Sequence, residues 1–215
     1  MNTNEVEKLY TRKASFYQFF FLDFLGVHRR IKKFFRQSSY IRPQLKILDA
    51  GCGTGNITRA LYTIAHKKGY EKIIFHAFDL TQRMLDLFQQ WIQQVKATNI
   101  TLTQANVLNL EQLPSDWNNY DLIVSCGMLE YLSKDEMKKT LYDLKKLLKF
   151  DGSLIIFITK HNIITKFLIE WWWKAHIYSK EDCQYIFANL GFNEFKITTA
   201  WWRFILTVEA KLDRL

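Results

Sequence analysis

From Lys46 to Thr159 short apolar runs alternate with longer stretches of helical period, and this rhythm constrains the fold more than any other property of the chain. "KILDA" (46–50), "KIIFHAFD" (72–79), "ITLTQANV" (100–107), "YDLIVSC" (120–126) and "GSLIIFIT" (152–159) read as strands. Residues 56–68, 82–97 and 134–149 between them read as helices. In the last of these, Met137, Leu141, Leu144 and Leu148 recur every three or four positions, the spacing of one helical face. Strands linked through helices lie parallel, with helices covering the sheet. A further helix is expected at about 180–190. After it, "FNEFKITT" (192–199) and "WRFILTVEAKL" (202–212) follow with so short a connection that they must pair antiparallel. The expectation is an α/β three-layer sandwich. Its seven-stranded, mostly parallel sheet ends in an antiparallel C-terminal hairpin.

With 215 residues, 48% of them hydrophobic and 24% charged, the chain suits one folded domain. Residues 1–44 precede the first strand as a helical N-terminal cap on a core of residues 45–215. The net charge of +9 is uneven: residues 1–44 carry nine Lys/Arg against three Asp/Glu. Such a segment fits either an anionic partner or a plain solvated face. Cys52, Cys126 and Cys183 are far apart, without Cys/His spacing for a metal, so reduced thiols and no metal site are expected. "MNTNEVEKLY" has no apolar signal region, and no run of roughly 18 apolar residues could cross a bilayer. The sequence therefore predicts a cytoplasmic protein, peripheral at most to a membrane.

"LDAGCGTG" (48–55) carries the most chemistry. An apolar strand runs into glycines at 51, 53 and 55 and opens a helix, with Asp49 ahead of them. Glycine allows a sharp turn and lets a ligand approach backbone without a β-carbon in the way. A dinucleotide fingerprint needs GxGxxG, and here the sixth position is Asn56; the GxxxxGK[ST] loop of nucleotide triphosphatases is absent.

This stretch resembles the first motif of class I S-adenosylmethionine-dependent methyltransferases, which have a Rossmann-like fold, and the resemblance extends over roughly residues 44–212. "HAFDLTQRML" is similar to the family's second strand, which implies that Asp79, followed by Leu80, holds the ribose hydroxyls. "QANVLNL" is similar to the adenine segment, with Asn106 in place of the commoner Asp and Val107 beside it. "YDLIVSCGMLEYL" resembles the fourth-strand motif ending at Cys126, and "LLKFDGSLIIF" the turn into the fifth strand. The resemblance implies S-adenosylmethionine as cofactor, held by Asp49, Gly51, Cys52, Gly53, Gly55, Asp79, Leu80, Asn106, Val107 and Cys126. The prefix "YTRKASFYQFFFLDFLGVHRRIKKFFRQ" (10–37) resembles the N-terminal helices of quinone and phospholipid methyltransferases, which adds Tyr17 over the cofactor and Tyr10 toward the acceptor.

Methyl transfer is an in-line displacement in which the protein chiefly aligns and desolvates the reactants, so no loud catalytic motif is required. [DN]PP[YFW] is absent after the fourth strand, and "CGMLEYL" stands in its place. That segment is similar to methyltransferases acting on small molecules, quinones and lipids, and the resemblance implies a small, largely hydrophobic acceptor such as a lipid or quinone. Glu130 and Tyr131 at the strand rim, and His161 after the fifth strand, are the candidate catalytic residues. "IEWWWKAH" (169–176) crowds three tryptophans onto a helix. Ile164, Leu168 and Trp171 make its core stripe. The surplus rings Trp172 and Trp173 either roof the acceptor pocket or pack against the prefix. "HRRIKKFFR" (28–36) sets five basic residues beside Ile31, Phe34 and Phe35, a composition suited to an anionic membrane interface or to a packed amphipathic helix. Two alternatives stand beside this reading: an RNA or protein methyltransferase, and a non-catalytic partner subunit of the same fold. The acceptor atom is not legible.

Overall fold

The computed structural model describes residues 27–159, 176, 178–192, 194–200 and 205–212. The chain divides into two compact units, residues 2–113 and 114–215.

The first unit runs α1 (Val27–Gln37), β1 (Lys46–Ala50), α2 (Asn56–Lys67), β2 (Ile74–Asp79), α3 (Gln82–Val95) and β3 (Ile100–Gln104). Its strands pair in parallel, β1 with β2 and β2 with β3. β1 and β2 bury Ile47, Leu48, Ala50, Phe75, Ala77 and Phe78 almost without exception, as expected of strands covered on both faces. α3 turns Met84, Leu85, Phe88 and Ile92 inward, and α1 packs on α2 and buries Ile31 and Phe35 fully. Two ends differ from the sequence reading for the same reason. Lys72 (φ 58°) and Lys96 (φ 53°) adopt left-handed backbone, so β2 begins only at Ile74 and α3 stops at Val95.

The second unit holds β4 (Tyr120–Cys126), α4 (Lys134–Leu147), β5 (Leu148–Thr159), α5 (Lys180–Ala188), β6 (Glu194–Ala200) and β7 (Ile205–Lys211). α4 and α5 each open on a capping box: Ser133 with Glu136, and Ser179 with Asp182. β4 and β5 are parallel, while β7 is antiparallel to both β5 and β6, so the C-terminal antiparallel pair forms as expected. Leu148 does not extend the α4 stripe; it already starts β5, opposite Tyr120, and the register then shifts before Leu122. Close approach at Gly152 accommodates this irregularity, since a β-carbon there would stand 2.8 Å from the carbonyl oxygen of Tyr120. Seven strands form among the described residues, ordered β3-β2-β1 in the first unit and β4-β5-β7-β6 in the second. No helix among the described residues is long and apolar enough to cross a membrane.

Candidate cofactor site

The loop between β1 and α2 is held from three sides. Asp49, buried near the end of β1, accepts from Thr58 twice, from Oγ1 at 2.7 Å and from the backbone N–H at 3.2 Å. This ties the strand entering the loop to the first turn of the helix leaving it. Burial pushes the Asp49 carboxyl up to about 7; the bonds from Thr58 oppose that rise and the nearby charge of Asp79 adds to it. Within the loop, the Gly55 N–H donates to the Cys52 carbonyl at 2.8 Å, and the Cys52 N–H donates to the carbonyl of Phe78 on β2 at 2.9 Å. The Cys52 thiol is buried, and burial together with the charges of Asp79 and Asp49 keeps it protonated.

The third hold comes from Asp79, at the carboxyl end of β2. Its Oδ2 accepts the Gly53 N–H at 2.8 Å and its Oδ1 accepts the Thr81 N–H at 2.9 Å. Desolvation raises its pKa, and these two N–H donors oppose the rise. An ionised carboxylate offers about four lone-pair directions. Half-buried Asp79 can therefore shape the loop and still accept hydroxyl donors from a ligand.

Above Gly53 the backbone is bare. Nothing among the described residues lies within 4 Å of the position a β-carbon would take, although the residue's N–H is fixed. Here the glycine leaves room outside the protein, beside an acceptor-rich carboxylate. Asn106 follows two residues after β3. Its Oδ1 accepts the Leu108 N–H at 3.0 Å, and its own N–H donates to Gln112 Oε1 at 3.2 Å. The Ala105 N–H donates to the Asp79 carbonyl at 3.1 Å, and the Leu80 carbonyl accepts from Gln104 Nε2 at 3.0 Å. These bonds tie Asp49, Cys52, Gly53, Gly55, Asp79, Leu80 and Asn106 into one end of the first unit; Gly51 lies in the same loop and Val107 follows Asn106 in the chain. The sequence reading omitted Thr58 and Thr81, which donate to the side chains of Asp49 and Asp79, and Gln112, which accepts the backbone N–H of Asn106. A Ser/Thr in the first turn after an Asp-led loop was the available signal for Thr58.

In the second unit Cys126 ends β4, half-buried. Glu130 and Tyr131 lie in the short 3₁₀ turn that follows, both buried. The Glu130 carboxylate accepts the N–H of Thr159, the last residue of β5, and its backbone carbonyl accepts the His176 N–H at 2.6 Å. Burial raises the Glu130 pKa against the effect of that N–H donor. The Tyr178 hydroxyl donates to the Leu132 carbonyl in the same turn. Tyr10, Tyr17, His161, Trp172 and Trp173 lie outside the described residues.

Residues 47–152 match the family described as "Methyltransferase domain". The chain is 35% identical over 133 residues, 61% of its length, to the ubiquinone/menaquinone biosynthesis C-methyltransferase UbiE of Wigglesworthia glossinidia brevipalpis, and covers 49% of that protein. It is 33% identical over 111 residues, 51% of its length, to the malonyl-[acyl-carrier protein] O-methyltransferase of Paenibacillus sp. (strain JDR-2), covering 37% of it. The chain spans about half the length of the first curated relatives it matches. Among solved structures, the magnesium protoporphyrin IX methyltransferase (ChlM) of Synechocystis PCC 6803 with bound SAH superposes with a TM-score of 0.66 at 18% identity, over 88% of this chain and 83% of that one, a likeness of fold. Over residues 47–152 the chain is thus similar to methyltransferase domains, a class whose fold it also shares.

The loop fits the cofactor of this class. The uncovered backbone at Gly53 leaves space that any side chain would fill, and Asp79 borders it with a carboxylate suited to vicinal hydroxyls.

Proposed function

We propose that the protein transfers a methyl group from S-adenosylmethionine to a small, largely apolar acceptor. The observation that carries this reading is the pairing of the open Gly53 backbone with the Asp79 carboxylate. In this reading Asp79 takes the ribose hydroxyls and the backbone of residues 51–55 borders the amino-acid portion. Asn106, in the segment after β3, is the residue that meets the adenine. Bound cofactor supplies an electrophilic methyl group on a sulfonium. The chain's own task is then to fix the donor, align the acceptor and exclude water.

Support for an apolar acceptor comes from the quinone and acyl-carrier relatives and from the aromatic content of 16%. The surplus rings of Trp172 and Trp173 belong to that reading, with Tyr10 toward the acceptor and Tyr17 toward the cofactor. His161 remains the proposed base for an acceptor that must lose a proton. Glu130 enters as a holder of backbone, because its carboxylate is turned to the Thr159 N–H. An anionic membrane surface as the partner of residues 28–36 is part of the same proposal, since apolar acceptors concentrate there.

Titration calorimetry with S-adenosylmethionine and its demethylated product tests the donor site, with one-to-one binding expected. Incubation of cell extract with methyl-labelled donor tests the acceptor. Label should enter the organic-solvent extract. Label confined to precipitated RNA or protein would overturn the small-molecule reading, and absence of donor binding would overturn the whole.

A further inference from the structure

We infer that α1 is a docking face for an anionic lipid bilayer that works by charge alone, without inserting side chains. The composition of "HRRIKKFFR" suggests an interfacial helix with an apolar edge sunk into lipid, but the structure spends that edge elsewhere. Ile31 is 1% exposed and Phe35 is 0% exposed, both buried within the protein, and Phe34 is stacked on Tyr40 with ring centroids 6.2 Å apart. The opposite face carries Arg29, Lys33 and Arg36, all exposed, spaced four and three residues apart and so spread along about 10 Å of one helix side. Lys32 flanks them. None of these four side chains has an ion pair or hydrogen bond among the described residues. No Asp or Glu occurs between Asp23 and Asp49 in the sequence.

Cations without a partner among the described residues, set along one side of a helix, fit a flat array of phosphates. Nucleic acid offers phosphates too, but single-strand binders add aromatic platforms for base stacking. Here the nearest ring, Phe34, is already stacked within the protein. The choice of lipid over RNA rests also on the apolar acceptor proposed above. The binding measurement itself uses neither donor nor acceptor, so it stands or falls apart from that reaction.

The full chain is sedimented with phosphatidylcholine vesicles with and without phosphatidylglycerol. Binding is expected only to the anionic vesicles, and it should vanish at about 1 M salt, where screening reaches about 3 Å. Each cation near such a surface is worth about a five-fold change in partition, so the triple variant Arg29→Gln, Lys33→Gln, Arg36→Gln should lose about 100-fold. A control triple with the same charge change at exposed sites elsewhere, Lys67→Gln, Arg83→Gln, Lys180→Gln, should lose less than about 5-fold. Three outcomes overturn the inference: equal losses in the two triples, binding that persists at high salt, or α1-dependent binding of a short RNA with vesicles left free.

Discussion

The ring of Phe88 fills the space in which residue 55 would carry a β-carbon: three ring atoms lie 2.4–2.5 Å from that position. Gly55 also sits at φ 83° as the N-cap of α2, so two independent demands meet there, one from backbone and one from packing. Gly55→Ala should cost about 3 kcal/mol or more, of which roughly 1–2 kcal/mol is left-handed backbone and the rest steric. In a Phe88→Leu background only the backbone part should remain. Urea denaturation of the four proteins in a double-mutant cycle measures the coupling, and additive costs would dissociate the ring from the loop.

Gly53→Ala separates fold from function. Its β-carbon meets no described atom, so the stability loss should be confined to about 1–2 kcal/mol of backbone strain at φ 53°. The added methyl stands in the proposed donor space, and calorimetry should find donor affinity reduced at least about 10-fold, beyond what the change in melting temperature would suggest. Unchanged affinity would move the donor away from this loop.

Asp79→Ala removes the acceptor for the Gly53 and Thr81 N–H groups as well as the proposed hydroxyl partner. Loss of charge-assisted bonds of this kind corresponds to about 10- to 100-fold in donor affinity. Asp79→Asn keeps one carbonyl oxygen and should fall between wild type and Ala. Equal affinity in all three would remove Asp79 from the site.

Asp49 sets a pH dependence of known sign. Its carboxyl titrates near 3.8 when unfolded and at about 7 in the folded protein. Across that interval the fold keeps a proton that the unfolded chain has released, so this group's contribution to stability falls as pH rises. A difference of that size is worth about 4 kcal/mol at most. Asp49→Asn should flatten the slope: the unfolding free energy of wild type relative to the variant declines between about pH 4 and about pH 8. A parallel pair of pH profiles would show that the buried carboxyl does not titrate across this range.

Glu130→Ala strands the Thr159 N–H and should cost about 1–3 kcal/mol in chemical denaturation. Glu130→Gln keeps an acceptor oxygen without a buried charge and should stay within about 1 kcal/mol of wild type. If Gln is as damaging as Ala, the carboxylate does more than hold backbone.

Much of this was legible in the chain because it rests on local pattern. β1 and β4 appear with the boundaries read from "KILDA" and "YDLIVSC", and the antiparallel C-terminal pair followed from its short connection. The strand starts and helix ends that differed turn on single backbone angles at Lys72 and Lys96, which apolar periodicity does not register. The early start of β5 depends on a carbonyl from Tyr120, some thirty positions before Gly152. In the site, the glycine spacing and Asp79 announced themselves by residue type. Phe88 did not, since a phenylalanine on a buried helix face looks like ordinary core, and Thr58 gave only the weaker signal of a hydroxyl in the first turn after the loop. What they hold becomes visible only when β1, α2 and α3 are brought together.

Glu130 grips Thr159 with its side chain and His176 with its main chain, so the last residue of β5 and residue 176, far apart in sequence, converge on one short turn. The two holds are chemically separate. A change of side chain at position 130 releases only Thr159, whereas the main-chain hold on His176 survives unless the turn itself moves.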